Sequence, residues 1–239
     1  MKTPILILVG GLGTRLYPFT KNLPKSLVPV NGKPFIFWQL TLLREAGFSE
    51  VVLCLGHMGN EIKNFVGTGK QFGLSVTYSS DGQYQLGTGG ALTKAAKEVD
   101  CDFAVMYGDS YLPIDFSKFE REFFQGDKSA LMTICKGMNS EKDECNIIYK
   151  QPLIVFYSKK DFRSEMNFID YGLCFFKRDV FSSIERGDAW DLSELILKLA
   201  VNGELIGSIV ENRFYEVGSW EGIARLELYL NSIRQQKHL

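Results

Sequence analysis

Histidine, cysteine and net charge are all scarce in this 239-residue chain, and each shortage closes off a class of function. Two histidines, His57 and His238, are too few for a histidine-rich zinc site. The five cysteines, Cys54, Cys101, Cys135, Cys145 and Cys174, are odd in number, form no CxxC pair and stand among apolar neighbours. That pattern predicts buried free thiols in a reducing cytoplasm rather than a disulfide framework or a metal cluster. With 27 basic against 28 acidic residues the formal charge is −1. No long-range field draws nucleic acid or an anionic membrane, so any anion site has to be local. No apolar run nears the ~20 residues of a membrane span. The early run over 5–9 ends in glycines and lacks the basic flank and cleavage site of a secretory signal. There is no internal repeat, low-complexity tract or Ser/Pro-rich hinge.

What is present suits one folded unit. Hydrophobic residues make up 45% and charged residues 23%, ordinary globular usage. A chain this long buries roughly 70–75% of its unfolded surface and needs no staples. Residues 4–9 are continuously apolar, as in a strand buried on both faces, and run into a glycine loop with a helix expected after it. Helical apolar spacing over 34–46 stops at Gly47, a good C-cap. Strands are expected at 51–55, 75–78 and 103–107, with helices at 61–66 and 90–99. This alternation predicts an α/β fold: a Rossmann-like mixed, mainly parallel sheet with helices on both faces. The second half predicts strands at 129–135, 153–157, 169–176, 206–211 and 214–217. Helices are expected at 192–201 and 220–235, and a polar, irregular excursion over 136–152. Phe35, Phe37, Trp38, Phe123, Phe124, Trp190 and Trp220 read as packing, and His57 as a loop residue.

The loop after the first strand is the most informative segment. It reads Gly10-Gly11-Leu12-Gly13-Thr14-Arg15, then nine residues, then Lys25. Glycines let backbone amides approach an anion without Cβ clashes. The dinucleotide fingerprint fails, because Leu16 stands where its third glycine belongs, and the Walker motif is absent. Two cations beside a bed of amides suit a polyphosphate whose charge must be neutralised during transfer.

The segment GGLGTRLYPFTKNLPKSLVPVNGKPFI resembles the opening signature of the sugar-1-phosphate nucleotidyltransferases, the nucleoside-diphosphate-sugar pyrophosphorylases. The resemblance implies the nucleotide-diphospho-sugar transferase fold as a single domain over 1–239. About 1–110 would serve the nucleotide and about 111–239 the sugar phosphate. It implies that Leu8, Gly10, Gly11, Gly13 and Thr14 wrap a nucleoside triphosphate. Arg15 would bind the leaving phosphates and Lys25 the α-phosphate, and these two are the expected catalytic residues. Leu86-Gly87-Thr88-Gly89-Gly90-Ala91 is similar to the family's LGTGG segment, whose backbone packs against the nucleobase. Gln83 and Gln85 precede it, and an amide side chain suits the edge of a base. Tyr107-Gly108-Asp109 resembles the family's G-D pair, whose aspartate holds Mg²⁺.

Two further segments depart from the family pattern. Glu216, in Phe214-Tyr-Glu-Val-Gly-Ser-Trp-Glu221, stands where an aspartate usually supplies the second metal ligand. One methylene longer, it would reach Mg²⁺ directly or through a water. For the sugar phosphate the expected contacts are Tyr107, Gly108, Ser158, Lys159 or its neighbour Lys160, Asp170, Tyr171 and Gly172. Ser158 replaces a glutamate and Asp170 an asparagine, which points to an acceptor other than plain glucose 1-phosphate.

The reading is a cytoplasmic, Mg²⁺-dependent enzyme joining a nucleoside triphosphate to a sugar 1-phosphate. It leans to GTP and a heptose 1-phosphate, after the heptose guanylyltransferases and the N-acetylmuramate uridylyltransferases. A uridylyl- or cytidylyltransferase of another sugar, a non-sugar phosphate acceptor, and a catalytically silent nucleotide-binding subunit stay open. No nucleic acid or membrane partner is expected, and a homo-oligomer is compatible with the sequence.

Overall fold

A computed structural model of the chain describes residues 1, 3–137, 145–182, 184 and 189–237. His238 and the middle of the 136–152 excursion lie outside the described residues. The chain begins with β1 (Ile5–Leu8) and the glycine loop. No α-helix follows at once, contrary to the sequence expectation. Three 3-10 turns (Thr14–Leu16, Phe19–Lys21, Lys25–Leu27) and a small hairpin of β2 (Pro29–Val30) and β3 (Lys33–Pro34) come first. Prolines at 18, 24 and 29 deny the backbone N–H groups and the freedom that a continuous helix needs. Then come α1 (Phe35–Glu45), β4 (Glu50–Leu55), α2 (Gly59–Val66), β5 (Ser75–Ser80), α3 (Gly87–Ala96), β6 (Phe103–Tyr107) and β7 (Ser110–Tyr111). The second half holds α4 (Phe116–Gln125), β8 (Ala130–Lys136), β9 (Ile147–Lys150), β10 (Leu153–Tyr157), β11 (Phe168–Phe176), α5 (Asp179–Ser182), α6 (Leu192–Val201), β12 (Leu205–Ile209), β13 (Tyr215–Glu216) and α7 (Trp220–Lys237).

Nine strands form one sheet in the order β5-β4-β1-β6-β11-β8-β12-β10-β9. The first four are mutually parallel. Beyond β6 the neighbours are antiparallel except for β8 with β12. Helices cover both faces. Ile5 and Ile7 face a core built with α1, α2 and α4, through Leu40, Ile62 and Phe119 among others. Leu6 points to the opposite core, filled by Leu92 of α3 and Ile196 of α6. The strand is apolar throughout because its period of two sends alternate residues into two different cores. A third cluster ties α7 to the outer side of α1 and the hairpin, through Leu226, Phe35 and Val30.

Several expectations are corrected here. The polar stretch over 136–152 contains β9, which pairs with β10 and β11. The strand expected at 214–217 shrinks to β13, which leaves the main sheet and pairs with β7. Helix α3 starts at Gly87, inside the glycine run, rather than at residue 90. Helix α4 was not foreseen, although Asp115 caps it through the Ser117 amide and three phenylalanines, Phe116, Phe119 and Phe123, fill its buried face. The cysteines are free, but Cys101 is exposed and Cys135 only half-buried. Trp220 is also exposed and meets Phe19 edge-on.

Candidate active site

The chain leaves β1 outward to β4 and β5, then returns to β6 on the other side of β1. This reversal opens a crevice at the carboxyl ends of parallel strands, where α/β sheets bind ligands. Register makes the ends flush, since Leu8 pairs with both Cys54 and Tyr107. A cavity of about 330 Å³ occupies the crevice. Its walls are the 8–13 loop, Lys25, Cys54, Asp81, the segment from Gln85 to Ala91, and the Tyr107-Gly108-Asp109 turn.

The glycine loop is shaped by close approach. A Cβ on Gly10 would lie 2.9 Å from the Gly56 nitrogen, so the β1 and β4 loops can touch only backbone to backbone. Around Gly11 there is open space on the cavity side. Thr20 closes the loop by donating its hydroxyl to the Gly13 carbonyl at 2.7 Å.

Lys25 and Asp109, 84 residues apart, meet at 2.7 Å as Nζ and Oδ2. Their pairing puts an ammonium and a carboxylate on the cavity wall beside the glycine amides. The Asp109 turn is braced from two sides. Gln39 of α1, fully buried, donates its amide nitrogen to the carbonyls of Tyr107 and Ser110 at 3.2 and 2.8 Å. Val217 donates its amide to the Asp109 carbonyl at 2.9 Å, and Glu216 pairs with Ser110 across β13 and β7. Tertiary structure thus brings the Asp109 turn beside the strand that carries Glu216. The Glu216 carboxylate is occupied within its own loop, accepting from the Gly218 amide and from the Ser219 hydroxyl. Arg15 lies outside the cavity lining, its guanidinium crowded over Gly218 beside that carboxylate.

The LGTGG segment divides its labour. Gly87 and Thr88 line the cavity, as does Gln85. Gly89 faces the ring of buried Trp190, where any Cβ would collide, and its amide donates to the Trp190 carbonyl. Thr88 accepts the Leu192 amide at 2.9 Å. Gly90 is buried, and Gln83 is exposed and off the lining, as is Thr14.

The acceptor-side residues gather around Tyr107. Its hydroxyl donates to Asp170 Oδ2 at 2.8 Å, and Tyr157 donates to the same oxygen at 3.1 Å. Asp170 Oδ1 accepts the Gly172 amide at 2.9 Å. Burial, reinforced by the Asp170 charge, pushes both phenols well above their ordinary pKa. Lys159 and Lys160 are both exposed, and Lys159 Nζ lies 4.9 Å from the centre of the Tyr107 ring. Ser158 is engaged by the amides of Lys160 and Asp161. Tyr171, next to Asp170 on β11, points to the other face of the sheet and is fully buried against Phe214.

Two features of the site, one beneath the Asp109 turn and one on the cavity wall, escaped sequence reasoning. Gln39 was hidden as one polar residue in an apolar helix. Asp81 follows the end of β5 just as Asp109 follows β6, so the rule that found Asp109 could have found it. Asp81 Oδ2 accepts the Leu86 amide at 3.1 Å. Burial raises its pKa, opposed by that amide and by Lys94.

Comparison with known proteins agrees with this architecture. A heptose 1-phosphate guanylyltransferase of Campylobacter jejuni is 27% identical over 214 residues, covering 89% of this chain and 93% of that one. The D-glycero-alpha-D-manno-heptose 1-phosphate guanylyltransferase of Aneurinibacillus thermoaerophilus is 29% identical over 216 residues, covering 89% and 92%. The crystal structure of HddC from Yersinia pseudotuberculosis, complexed with GMP-PN, superposes with a TM-score of 0.80 at 22% identity, covering 93% of this chain and 97% of that one. The description "Nucleotidyl transferase" matches residues 5–232. From glycine loop to terminal helix, the chain belongs to the nucleotidyl transferase family, an enzyme family whose members matched here are sugar-1-phosphate nucleotidyltransferases.

Proposed function

We propose that this protein transfers a nucleotidyl group from a nucleoside triphosphate to a sugar 1-phosphate and releases pyrophosphate, with GTP and a heptose 1-phosphate as the favoured pair. The observation that carries the reading is the Lys25–Asp109 pair at 2.7 Å on the wall of a glycine-lined cavity. Amides of the 10–13 loop would receive phosphate oxygens. A sugar phosphate is already an anionic nucleophile near neutral pH, so its oxygen can attack the α-phosphorus without a strong base. The α–β bridging bond breaks and the electron pair leaves on pyrophosphate. Lys25 would neutralise charge on the α-phosphate and Arg15 on the leaving phosphates, so catalysis rests on positioning and electrostatics. Lys159 above Tyr107, with Asp170 holding that phenol, would form the acceptor side.

Among the described residues no three His, Cys, Asp or Glu side chains converge as a metal cage. A Mg²⁺ ion would need a site of another kind, completed by substrate oxygens and water: Asp109 would be a protein carboxylate there, and Glu216, which now accepts from the Gly218 amide and the Ser219 hydroxyl, would reach it directly or through a water. Bound there, Mg²⁺ would offset charge on the phosphates. No described helix is long and apolar enough to cross a membrane, and a cytoplasmic location is proposed on family grounds. The test is pyrophosphate release measured across four nucleoside triphosphates and a panel of sugar and non-sugar phosphates. Release with GTP and a heptose 1-phosphate above all other pairs is expected. Binding of nucleotide with no release from any pair would support a silent subunit instead.

A further inference from the structure

The cavity wall carries two carboxylates, and one of them, Asp109, is paired with Lys25 beside the glycine loop. Asp81 brings a carboxylate to the same cavity, beside the loop contact of Gly10 with Gly56 and next to Leu86. Asp109 has the Lys25 ammonium bonded to it, whereas the Asp81 carboxylate is bonded among the described residues to the Leu86 amide alone, so Asp81 is the carboxylate left to meet the nucleoside rather than the triphosphate. Its neighbours on the lining include Cys54, Ala91 and Leu8, apolar surface on which a flat base can lie. The Leu86 amide fixes Oδ2, and Oδ1 has no hydrogen bond to any described residue.

A carboxylate is acceptor-only, with two oxygens side by side. Among the common bases, guanine alone presents two adjacent donors, N1–H and the 2-amino group. Uracil and thymine offer one N–H between two carbonyl oxygens, which the carboxylate would repel. Cytosine and adenine each set an amino group beside a ring acceptor. Guanine's O6, next to N1–H, asks for a donor. Thr88 lines the cavity, and its hydroxyl, having accepted the Leu192 amide, still has its hydrogen to give. We infer that Asp81 reads the N1–H and 2-amino edge of guanine and is the specificity-determining residue for the base, an inference that rests on the nucleotidyl-transfer reading above.

Calorimetric titration of the full chain with GTP, ITP, UTP, CTP, dTTP and ATP in the presence of Mg²⁺ tests it. ITP differs from GTP only by lacking the 2-amino group. It should bind about 10- to 100-fold more weakly, the cost of one hydrogen bond to a charged group. Asp81→Asn, which replaces one acceptor by a donor, should weaken GTP by a similar factor and raise UTP relative to GTP. Equal affinity for GTP and ITP overturns the inference, and that comparison needs no variant. An equal loss for every nucleotide in a folded Asp81→Asn protein also overturns it, since that marks a ribose contact. Preference for UTP with pyrophosphate release intact overturns the inference while leaving the transfer reading standing. Failure to bind any nucleotide overturns both.

Discussion

Gly10 and Gly11 are neighbours with opposite duties. The first is glycine because the Gly56 backbone leaves no room for a Cβ. Gly10→Ala should therefore lower stability by about 1–3 kcal/mol, the usual cost of overpacking, seen as a reduced midpoint in a urea melt. Gly11 has open space where its Cβ would go. Gly11→Ala should leave the melt within about 0.5 kcal/mol of wild type. It should still weaken nucleotide binding by on the order of tenfold, because the new methyl enters the space a phosphate needs to reach the amide. The cysteines show the same contrast. Burial, with Asp81 and Glu98 nearby, pushes the Cys54 thiol up to about 12, so its thiolate is absent at neutral pH. Cys101 is exposed. Brief alkylation of the native protein, read by peptide mass, should label Cys101 before Cys54. Gln39 is the remaining lesson at this scale. It is a buried amide whose Oε1 has no hydrogen-bond partner among the described residues while its nitrogen holds two carbonyls of the Asp109 turn. Gln39→Leu should cost about 1–3 kcal/mol by leaving those carbonyls unmade. Turnover should fall further than the unfolded fraction explains, because Asp109 loses a brace.

At the scale of elements, the regular pieces follow from local rules. Strand β1 is apolar because both faces are covered, and α1 stops at Gly47, whose φ is +90°. Helix α4 illustrates what a missed cap signal costs. Asp115 accepts the Ser117 amide at 3.0 Å and the Ser117 hydroxyl at 2.6 Å, and the hydroxyl bond is the main reason its carboxyl lies below the usual range. Asp115→Ala should destabilise the fold by about 1 kcal/mol, measured as a lower thermal midpoint, with catalysis unchanged because α4 lies apart from the cavity lining. The segment after the glycine loop misled for a physical reason. A glycine turn after a buried strand usually opens a helix, but the prolines in this stretch break it into single turns. Those turns bring Lys25 back to the cavity wall.

For the whole molecule, the decisive arrangement joins distant parts of the chain. Lys25 comes from a turn near the amino terminus. Its partner Asp109 follows the central strand β6 and is held by α1 and by β13 near the carboxyl end. Lys25→Ala should lower kcat by about 10²–10³, the loss expected for one donor to a developing charge, with the circular dichroism spectrum unchanged. A near-wild-type rate in that folded variant would remove Lys25 from the chemistry.

The order strand, glycines, arginine, lysine was legible by itself, because backbone freedom and charge spacing are local properties of the chain. So were most helices and strands, since burial imposes periods of two and 3.6 residues on them. The identity of each contact was not legible. The motif marked Gly89 but not Trp190, a hundred residues away, which rests on it. The motif marked Asp170 but not the two tyrosines that donate to its carboxylate. Asp81 drew no notice in the sequence, and the sheet carries it into the cavity. Each of these outcomes depends on which remote surfaces pack together, and packing energy is a property of the folded chain.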